Sequence, residues 1–414
     1  MALNRGVTLF KSNRNNIIRF DVQIFKHFSC STPSRIRIRN LEEAQESHRQ
    51  ASEGKTKPKS FMKEIEKLTV WKDENALVED LHSNIVYYQP DKDKTGVVII
   101  NKPYGLPKEM SEDSQFSLVK ALPHLAKKLD VSSLAVLKCS ERFTSGITVL
   151  GSKPESEKAF KSCLLRQKTN RILANSYLAL VKGQPKINRC ESVDLSLADC
   201  PEVNSPLFSS MHKEPVISRQ LKSISQSRRL RLRRVHVDLT TVSRSSTGAG
   251  LVAVSPSNPG KHFILVYLAE QGLSVLGDML YDYRSKTVLG QKVKMTATAN
   301  ANRTQVLPSH LLQLLQLEKG EEWRLPKLLH HHRLHLPGWL PAGEDLTVFA
   351  PPPPHWLRAS TILGIKFDFK QFAEADVVKQ WDKSEENQAK KKKKKKEREE
   401  NIITDLQSDV SELS

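Results

Sequence analysis

The pattern of apolar residues changes at Gly96, and this change constrains the fold more than any other feature of the sequence. The four residues from Val97 to Ile100 are β-branched and typical of a buried strand. The following stretch, 101 to 107, contains two prolines and a glycine, which predicts a turn. Residues 41 to 60, well before this point, are polar and lack periodicity. We therefore expect the globular domain to begin close to residue 91.

Helical and strand-like patterns alternate irregularly after this first strand. Segments with one pattern or the other lie at 117 to 129, 147 to 150, 155 to 165 and 177 to 181. Residues 187 to 258 alternate short apolar and polar runs, as antiparallel strands with one solvated face do. The chain has no regular βαβ alternation, no G-x-G-x-x-G motif and no P-loop, so a nucleotide cofactor has no support. The sequence predicts one α+β domain over residues 91 to 372.

The two ends of the chain differ from this domain. Residues 1 to 40 carry eight lysines and arginines against one acid, spread among apolar residues without a continuous apolar segment. This pattern is typical of a mitochondrial transit peptide, and the alternative is a basic arm that binds RNA directly. We interpret residues 41 to 90 as a polar linker with a short helical segment. Residues 373 to 414, which include a run of lysines, are predicted to form a disordered charged tail.

Charge and cysteine content narrow the class of protein. The formal net charge of the 414 residues is +19, and the excess lies in the N-terminus, the arginine-rich run at 228 to 234 and the lysine run at 390 to 396. Such clusters are expected for a polyanionic partner, although a lysine run is more often a solvated tail. The five cysteines are scattered without a C-x-x-C pair, which argues against a zinc ribbon or a disulfide framework.

Five motifs occur in a defined order along the predicted domain. They are INKPYGLP at 100 to 107, ERFTSG at 141 to 146, YLALVKG at 177 to 183, GKHFILVYLA at 260 to 269 and LGDMLY at 276 to 281. In order and spacing the chain resembles the RluA-type pseudouridine synthase family across residues 96 to 365. Residues 288 to 291 and the Leu- and His-rich segment before Leu336 most resemble the mitochondrial mRNA branch of that family. The resemblance implies a mixed, mainly antiparallel central sheet in two halves, with a cleft for an RNA strand.

The resemblance also implies a chemistry and two catalytic residues. To convert uridine into pseudouridine, an enzyme breaks the glycosidic bond, rotates the base and rejoins it through carbon, so the target base must leave its stack. The family uses an aspartate near the sugar C1′ and a tyrosine against the base. The matching residues are Glu141 and Tyr177, and no cofactor is implied. The alternatives are a loop glutamate in a site without chemistry, and a tyrosine that only packs in its strand.

The chain departs from the family pattern at Glu141 itself and at two further positions, 139 and 265. Glutamate is one methylene longer than aspartate, and a misplacement of about 1 Å can reduce a rate about a hundredfold. Cys139 stands where the family has an arginine near the space that the flipped base vacates. Leu265 stands where the family has an arginine, in a later strand, that pairs with the carboxylate. We therefore expect a buried Glu141 that has lost the partner that orients it.

Basic residues in two groups are predicted to bind RNA. In the arginine-rich run, alternation would place three side chains on one face of a strand, where they contact phosphates or are merely solvated. Three more lie in the family motifs. The predicted RNA-binding residues are Lys102, Arg142, Lys261, Arg229, Arg231 and Arg233.

Two hypotheses of function remain at this stage. The first is an active synthase that acts on mitochondrial RNA, either mRNA or rRNA, in the matrix, with another group in place of the missing arginine. The second is a weak or inactive RNA-binding relative that works with RNA-processing or ribosome-assembly proteins. Tyr177 and Lys102 favour the first, which we adopt, whereas Cys139 and Leu265 favour the second. A zinc site at the histidines of 330 to 335 is disfavoured because no cysteine or acidic residue lies nearby.

Overall fold

The computed structural model describes residues 61–66, 68, 71–89, 96–111, 114–185, 188–201, 211–289, 291–297, 305–340 and 343–381. The strands within these residues are β1 (Ile85–Gln89), β2 (Val97–Lys102), β3 (Ala135–Lys138), β4 (Ser145–Gly151), β5 (Asn175–Lys182), β6 (Arg189–Pro201), β7 (Met211–Ser218), β8 (Arg233–Arg244), β9 (Ala249–Pro256), β10 (Ser285–Val288), β11 (Gln291–Lys294), β12 (Leu329–Leu336) and β13 (Leu346–Phe349). The helices are α1 (Phe61–Ile65), α2 (Glu74–Ser83), α3 (Leu118–Lys128), α4 (Pro154–Thr169), α5 (Ile224–Arg229), α6 (Phe263–Glu270), α7 (Ser309–Leu315), α8 (Pro354–Ile362) and α9 (Phe369–Ala375).

One large sheet organises the domain. Its strand order is β1-β2-β4-β12-β5-β9-β8-β6-β7, with β3 beside β4 and β13 beside β12, whereas β10 and β11 form a separate hairpin. Strand β12 joins the two halves, because it runs parallel to β4 and antiparallel to β5. The other pairs in the described sheet are antiparallel. The predicted α+β class, with a mixed and mainly antiparallel sheet, is confirmed.

Apolar clusters cover both faces of each half of the sheet. On the half that contains β2 and β4, helices α2 and α3 cover one face and α4 covers the other. On the half that contains β5 and β9, helix α6 covers one face, and α1, α7 and α8 cover the other. This double coverage explains the continuous run of β-branched residues in β2, since a strand buried on both faces does not alternate with polar residues.

The domain boundary predicted at residue 91 is wrong. Phe61 is buried in the same cluster as helix α8, and strand β1 pairs with β2 along residues assigned to a linker. Polar residues dominate the sequence of this region, so its few core contacts gave no periodic signal. At the other end, Gln380 forms a bridge to Ile172, which extends the folded part past residue 372. The predicted transit peptide, residues 41 to 60 of the predicted linker and the lysine run lie outside the described residues.

The apolar motif at 260 to 269 forms helix α6, not a strand. Its residues from Phe263 to Ala269 are all buried, so the segment is apolar on every side. Periodicity alone cannot distinguish a short helix of this kind from a buried strand. Within the described residues, no helix combines the length and apolar character required to cross a membrane.

Candidate active site

Glu141 lies in the loop that leads into β4, and Lys327 lies in the segment that leads into β12. Because these two strands are parallel and Ser145 pairs with His330, the two lead-in segments lie side by side. The Nζ atom of Lys327 is 3.6 Å from Oε2 of Glu141. The Glu141 side chain is 43% exposed and that of Lys327 only 10%. The expectation of a buried carboxylate without a cationic neighbour is therefore wrong, and sequence reasoning did not identify Lys327.

The junction between β4 and β12 requires a glycine. Gly146 has a φ of +115°, and a β carbon at this position would lie 2.3 Å from the carbonyl oxygen of His331. Neither the backbone conformation nor the space admits another residue without movement. The TSG end of the ERFTSG motif thus brings the Glu141 loop against the segment that carries Lys327.

His262 contacts Glu141 from the other half of the sheet. Its Nε2 atom is 3.3 Å from Oε1 of Glu141, and its Nδ1 atom is 2.7 Å from the hydroxyl of Tyr281. A carboxylate only accepts hydrogen bonds, so the imidazole directs an Nε2 hydrogen toward Glu141. When the imidazole is neutral, Nδ1 then accepts the hydrogen bond of the Tyr281 hydroxyl. Two motifs of the sequence, at 260 to 269 and 276 to 281, meet at this contact.

Lys102 supports the loop of Glu141 from the protein interior, and its side chain does not face solvent. Its side chain is fully buried, and its ammonium donates to the carbonyl oxygens of Pro103, Leu106 and Arg142 at 3.0 to 3.2 Å. Burial lowers the pKa of Lys102 to about 8. The predicted contact between Lys102 and RNA is therefore wrong, because each donated bond ends on the backbone of the protein. Its contact with the Arg142 carbonyl instead fixes the residue next to Glu141.

Tyr177 lies on β5, opposite His331 in β12. The two rings stack, with centroids 4.4 Å apart and planes 15° apart. Burial, and to a smaller extent the charge of Glu141, raise the pKa of Tyr177 well above its usual value. The tyrosine therefore keeps its hydroxyl proton at neutral pH and acts as a hydrogen-bond donor. Tyr177 is only 5% exposed and belongs to the apolar cluster beneath β5 and β9, and His331 covers one face of its ring.

The residues at the two missing arginine positions make their contacts with other groups. Leu265 is buried in the apolar cluster beneath β5 and β9. The Cys139 thiol donates to the carbonyl of Ser140 at 3.1 Å, accepts from Thr148 at 3.7 Å and packs against the cluster of α2 and α3. Neither side chain takes over the contact that an arginine would make.

The loop around Glu141 exposes an aromatic ring. Phe143 is 44% exposed, and the guanidinium of Arg142 lies 5.0 Å from its ring centroid. The Nε of Arg142 also donates to the carbonyl of Gly105 at 3.2 Å, which ties this loop to the turn after β2. An exposed phenyl ring beside a guanidinium is suited to stacking on a nucleobase. Sequence reasoning missed Phe143, although it lies within the ERFTSG motif.

The arginine-rich run does not form one strand face, which corrects that prediction. Arg229 ends helix α5, Arg231 has a φ of +51° in a turn, and β8 begins at Arg233. All three side chains are nevertheless exposed. The guanidinium of Arg233 approaches Gly260, and a β carbon there would lie 4.0 Å from its Nη1 atom. Arg233 therefore borders the turn that carries the exposed Lys261, whereas the other two lie further along.

The histidines of β12 are internal structural residues. The Nε2–H of His330 donates to the carbonyl oxygen of Ala350 at 3.0 Å, its Nδ1 accepts from the Ser145 hydroxyl at 2.9 Å, and burial lowers its pKa to about 3. His332 contacts the carboxylate of Asp376 at 2.8 Å, and His335 contacts the Thr347 hydroxyl at 2.8 Å. These side chains occupy different surroundings along the strand and do not converge on one point.

Comparison with known proteins agrees with the motifs. No family model matches the chain. The mitochondrial mRNA pseudouridine synthase RPUSD3 of Homo sapiens is 29% identical over 296 residues, which cover 70% of this chain and 78% of that protein. The RPUSD3 of Mus musculus is 28% identical over 268 residues, covering 64% and 74%. The mitochondrial pseudouridylate synthase RPUSD4 of Bos taurus is 27% identical over 297 residues, covering 70% and 72%.

A solved structure gives the same result for the fold. The structure of human RNA pseudouridylate synthase domain containing 4 aligns with a TM-score of 0.52 at 21% identity, over 71% of this chain and 98% of that one. The protein therefore has the pseudouridine synthase fold. The resemblance predicted from the five motifs is confirmed.

Proposed function

We propose that this protein is an RNA pseudouridine synthase that isomerises uridine to pseudouridine in mitochondrial RNA, with mRNA as the favoured substrate. The observation that carries the proposal is the carboxylate of Glu141, held between Lys327 and His262. The names of the relatives, mitochondrial mRNA pseudouridine synthase and mitochondrial pseudouridylate synthase, support the same activity, substrate and compartment.

The reaction needs no cofactor because it is a net isomerisation. The N1–C1′ bond of uridine breaks, a C5–C1′ bond forms, and the hydrogen lost from C5 is replaced by one on N1. In this site Glu141 acts at the sugar, as nucleophile on C1′ or as base, and Tyr177 lines the pocket of the flipped base. The protonated Tyr177 hydroxyl donates a hydrogen bond during the rearrangement. Lys327 and His262 orient the carboxylate.

Exposed basic and aromatic groups near Glu141 suit an RNA strand. Phe143 offers a stacking surface to an unpaired base, and Lys261 and Arg233 lie on the side of His262. Arg142, Arg229 and Arg231 extend the predicted phosphate contacts. We also propose that the protein works in the mitochondrial matrix, in contact with RNA-processing or ribosome-assembly proteins.

The alternative of an inactive RNA-binding relative rested on Cys139 and Leu265. Lys327 weakens that argument, because it supplies a positive charge to Glu141 from another segment. The synthase hypothesis anticipated such a substitute, and the geometry supports it over the alternative.

A site-resolved pseudouridine map of mitochondrial RNA tests the proposal. Cells that lack the protein are rescued with the wild type, Glu141→Gln, Tyr177→Phe or the control Glu155→Gln, which changes an exposed glutamate of α4. We expect at least one site to disappear and to return with the wild type and the control only. If no site changes while Glu141→Gln restores RNA levels and ribosomes, the protein is an RNA-binding factor and the proposed activity is wrong.

A further inference from the structure

We propose that Lys327 is the positioning residue of Glu141, in the place of the arginine that the chain has lost at Leu265. The inference deepens the proposed function and rests on it for the catalytic consequence. The ion pair has moved from helix α6 to the segment before β12, which approaches the carboxylate from the parallel junction with β4.

The backbone of Lys327 is fixed by neighbours on both sides. Its N–H donates to the Tyr104 hydroxyl at 3.1 Å, and the N–H of Leu328 donates to the carbonyl of Leu276 at 2.9 Å. The carbonyl of Pro326 packs against Gly277, where φ is +81° and a β carbon would lie only 2.2 Å from that oxygen. The LGDMLY motif therefore restricts the backbone of residues 326 to 328 to one position. A residue held in this way can orient its partner.

Two acidic residues lie near the ammonium of Lys327. Glu141 lies on one side, and on another the buried Asp278 has one carboxyl oxygen, Oδ2, without a hydrogen-bond partner. Burial raises the pKa of Asp278 to about 6, and the charge of Lys327 opposes that rise. Lys102, the other ammonium of this region, donates to three carbonyls. Of the two lysines, only Lys327 is therefore directed at the carboxylate.

The burial of Lys327 also distinguishes its proposed role, the orientation of Glu141, from a role in RNA binding. A side chain that is 10% exposed has little surface to offer to a phosphate, whereas Lys261 and the arginines near it are exposed. Removing Lys327 should therefore change the rate of the chemical step and leave the affinity for RNA nearly unchanged.

The first test compares Lys327→Met, Lys327→Arg and the exposed control Lys319→Met with the wild type. The substrate is a mixture of mitochondrial mRNA transcripts with tritium at uridine C5, since the isomerisation releases that hydrogen. We expect Lys327→Met to lower the single-turnover rate at saturating RNA about a hundredfold, with the RNA dissociation constant unchanged within about twofold. Lys327→Arg should recover most of the rate, and Lys319→Met should behave as the wild type.

Two results of this test would overturn the proposal. Weaker binding of Lys327→Met with a shallower salt dependence and an unchanged saturating rate would make Lys327 a phosphate contact. Equal losses of thermal stability in both Lys327 variants, with full rates, would make it a structural residue.

The second test does not depend on activity. Urea unfolding of Glu141→Gln, Lys327→Met and the double variant forms a double-mutant cycle. We expect the double variant to lose less stability than the sum of the single losses, because the first substitution already removes the ion pair. Additive losses would show that the pair does not exist. If the wild type releases no tritium, the proposed function is wrong, and this cycle still decides whether Lys327 holds Glu141.

Discussion

The two sides of Glu141 differ in how they hold it. On the side of β2 and β4, polar contacts are dense: Lys102 donates to three carbonyls, and the loop is tied to the turn after β2. On the side of β9 and α6, the neighbouring segment is apolar, Leu265 is buried, and His262 alone among the described residues of that side reaches the carboxylate. The first side fixes the backbone of the loop, whereas the second side no longer supplies a permanent charge.

The difference shows which parts of such a site are exchangeable. Backbone positioning depends on the buried ammonium of Lys102 and on Gly146, and a side chain at position 146 would collide with the backbone of His331. A counter-charge needs only to lie within a few ångströms, so a residue from any adjacent segment can provide it. Lys327 provides it here because the parallel pairing of β4 with β12 places the segment of Lys327 beside the loop of Glu141.

An arginine at position 265, on the apolar side of Glu141, should have the largest effect on the free energy of unfolding. Leu265→Arg places a charge in the cluster beneath β5 and β9, and we expect the free energy of unfolding to fall by about 3 to 5 kcal/mol. Leu265→Met, the volume-conserving control, should cost less than about 1.5 kcal/mol. Urea unfolding measures both. A stable Leu265→Arg protein with a faster reaction would mean that α6 can still present a side chain to Glu141.

The junction of β4 and β12 should be almost as sensitive. Gly146→Ala combines a strained φ with a collision against His331, and we expect a loss of about 3 kcal/mol or more. Gly320→Ala is the matched control, since its φ is +97° but no atom lies within 4 Å of the added carbon. In Gly320→Ala the strained φ alone should lower the free energy of unfolding by about 1 kcal/mol. Equal losses in the two variants would show that the junction tolerates a side chain.

Lys102→Met should separate loop support from RNA contact. The substitution removes the ammonium that donates to three carbonyls, of which only that of Arg142 also accepts from the N–H of Gly105, so we expect a loss of about 2 kcal/mol near pH 7. Unchanged stability with weaker RNA binding would restore the phosphate contact predicted from the sequence.

The same variant gives a pH dependence whose sign follows from burial. The folded protein releases the Lys102 proton near pH 8, whereas the unfolded chain keeps it until about 10.5. Between these values the unfolded state binds more protons, so the free energy of unfolding of the wild type should rise with pH. Lys102→Met lacks this term, and the gap between the two proteins should therefore widen from pH 8 to pH 10 in urea titrations.

The smallest effect is expected at the exposed arginines. Replacing Arg229, Arg231 and Arg233 together by glutamine should weaken RNA binding similarly for all sequences. The slope of log affinity against log salt should become shallower by about 2, if each residue contacts one phosphate. Lys366→Gln, in an exposed segment between α8 and α9, is the control. An unchanged slope would mean that the run is only solvated, as the alternative interpretation held.

The sequence by itself determined the fold class and the order of the five motifs, two of which contain Glu141 and Tyr177. These features are local, because β-branched runs, turn residues and motif spacing each lie within a short stretch of chain. It failed for helix α6 and for the arginine-rich run, where a short apolar or alternating segment fits more than one conformation.

Only the tertiary structure decided which charges surround the carboxylate. Lys327, His262 and Glu141 are distant in sequence, and they meet because β4 and β12 pair in parallel while α6 begins at the edge of the other half. Burial likewise decided that Lys102 supports the loop. Strand pairing and burial are properties of the whole sheet, and an ionisable residue acquires its role from the charges and the dielectric that the sheet places around it.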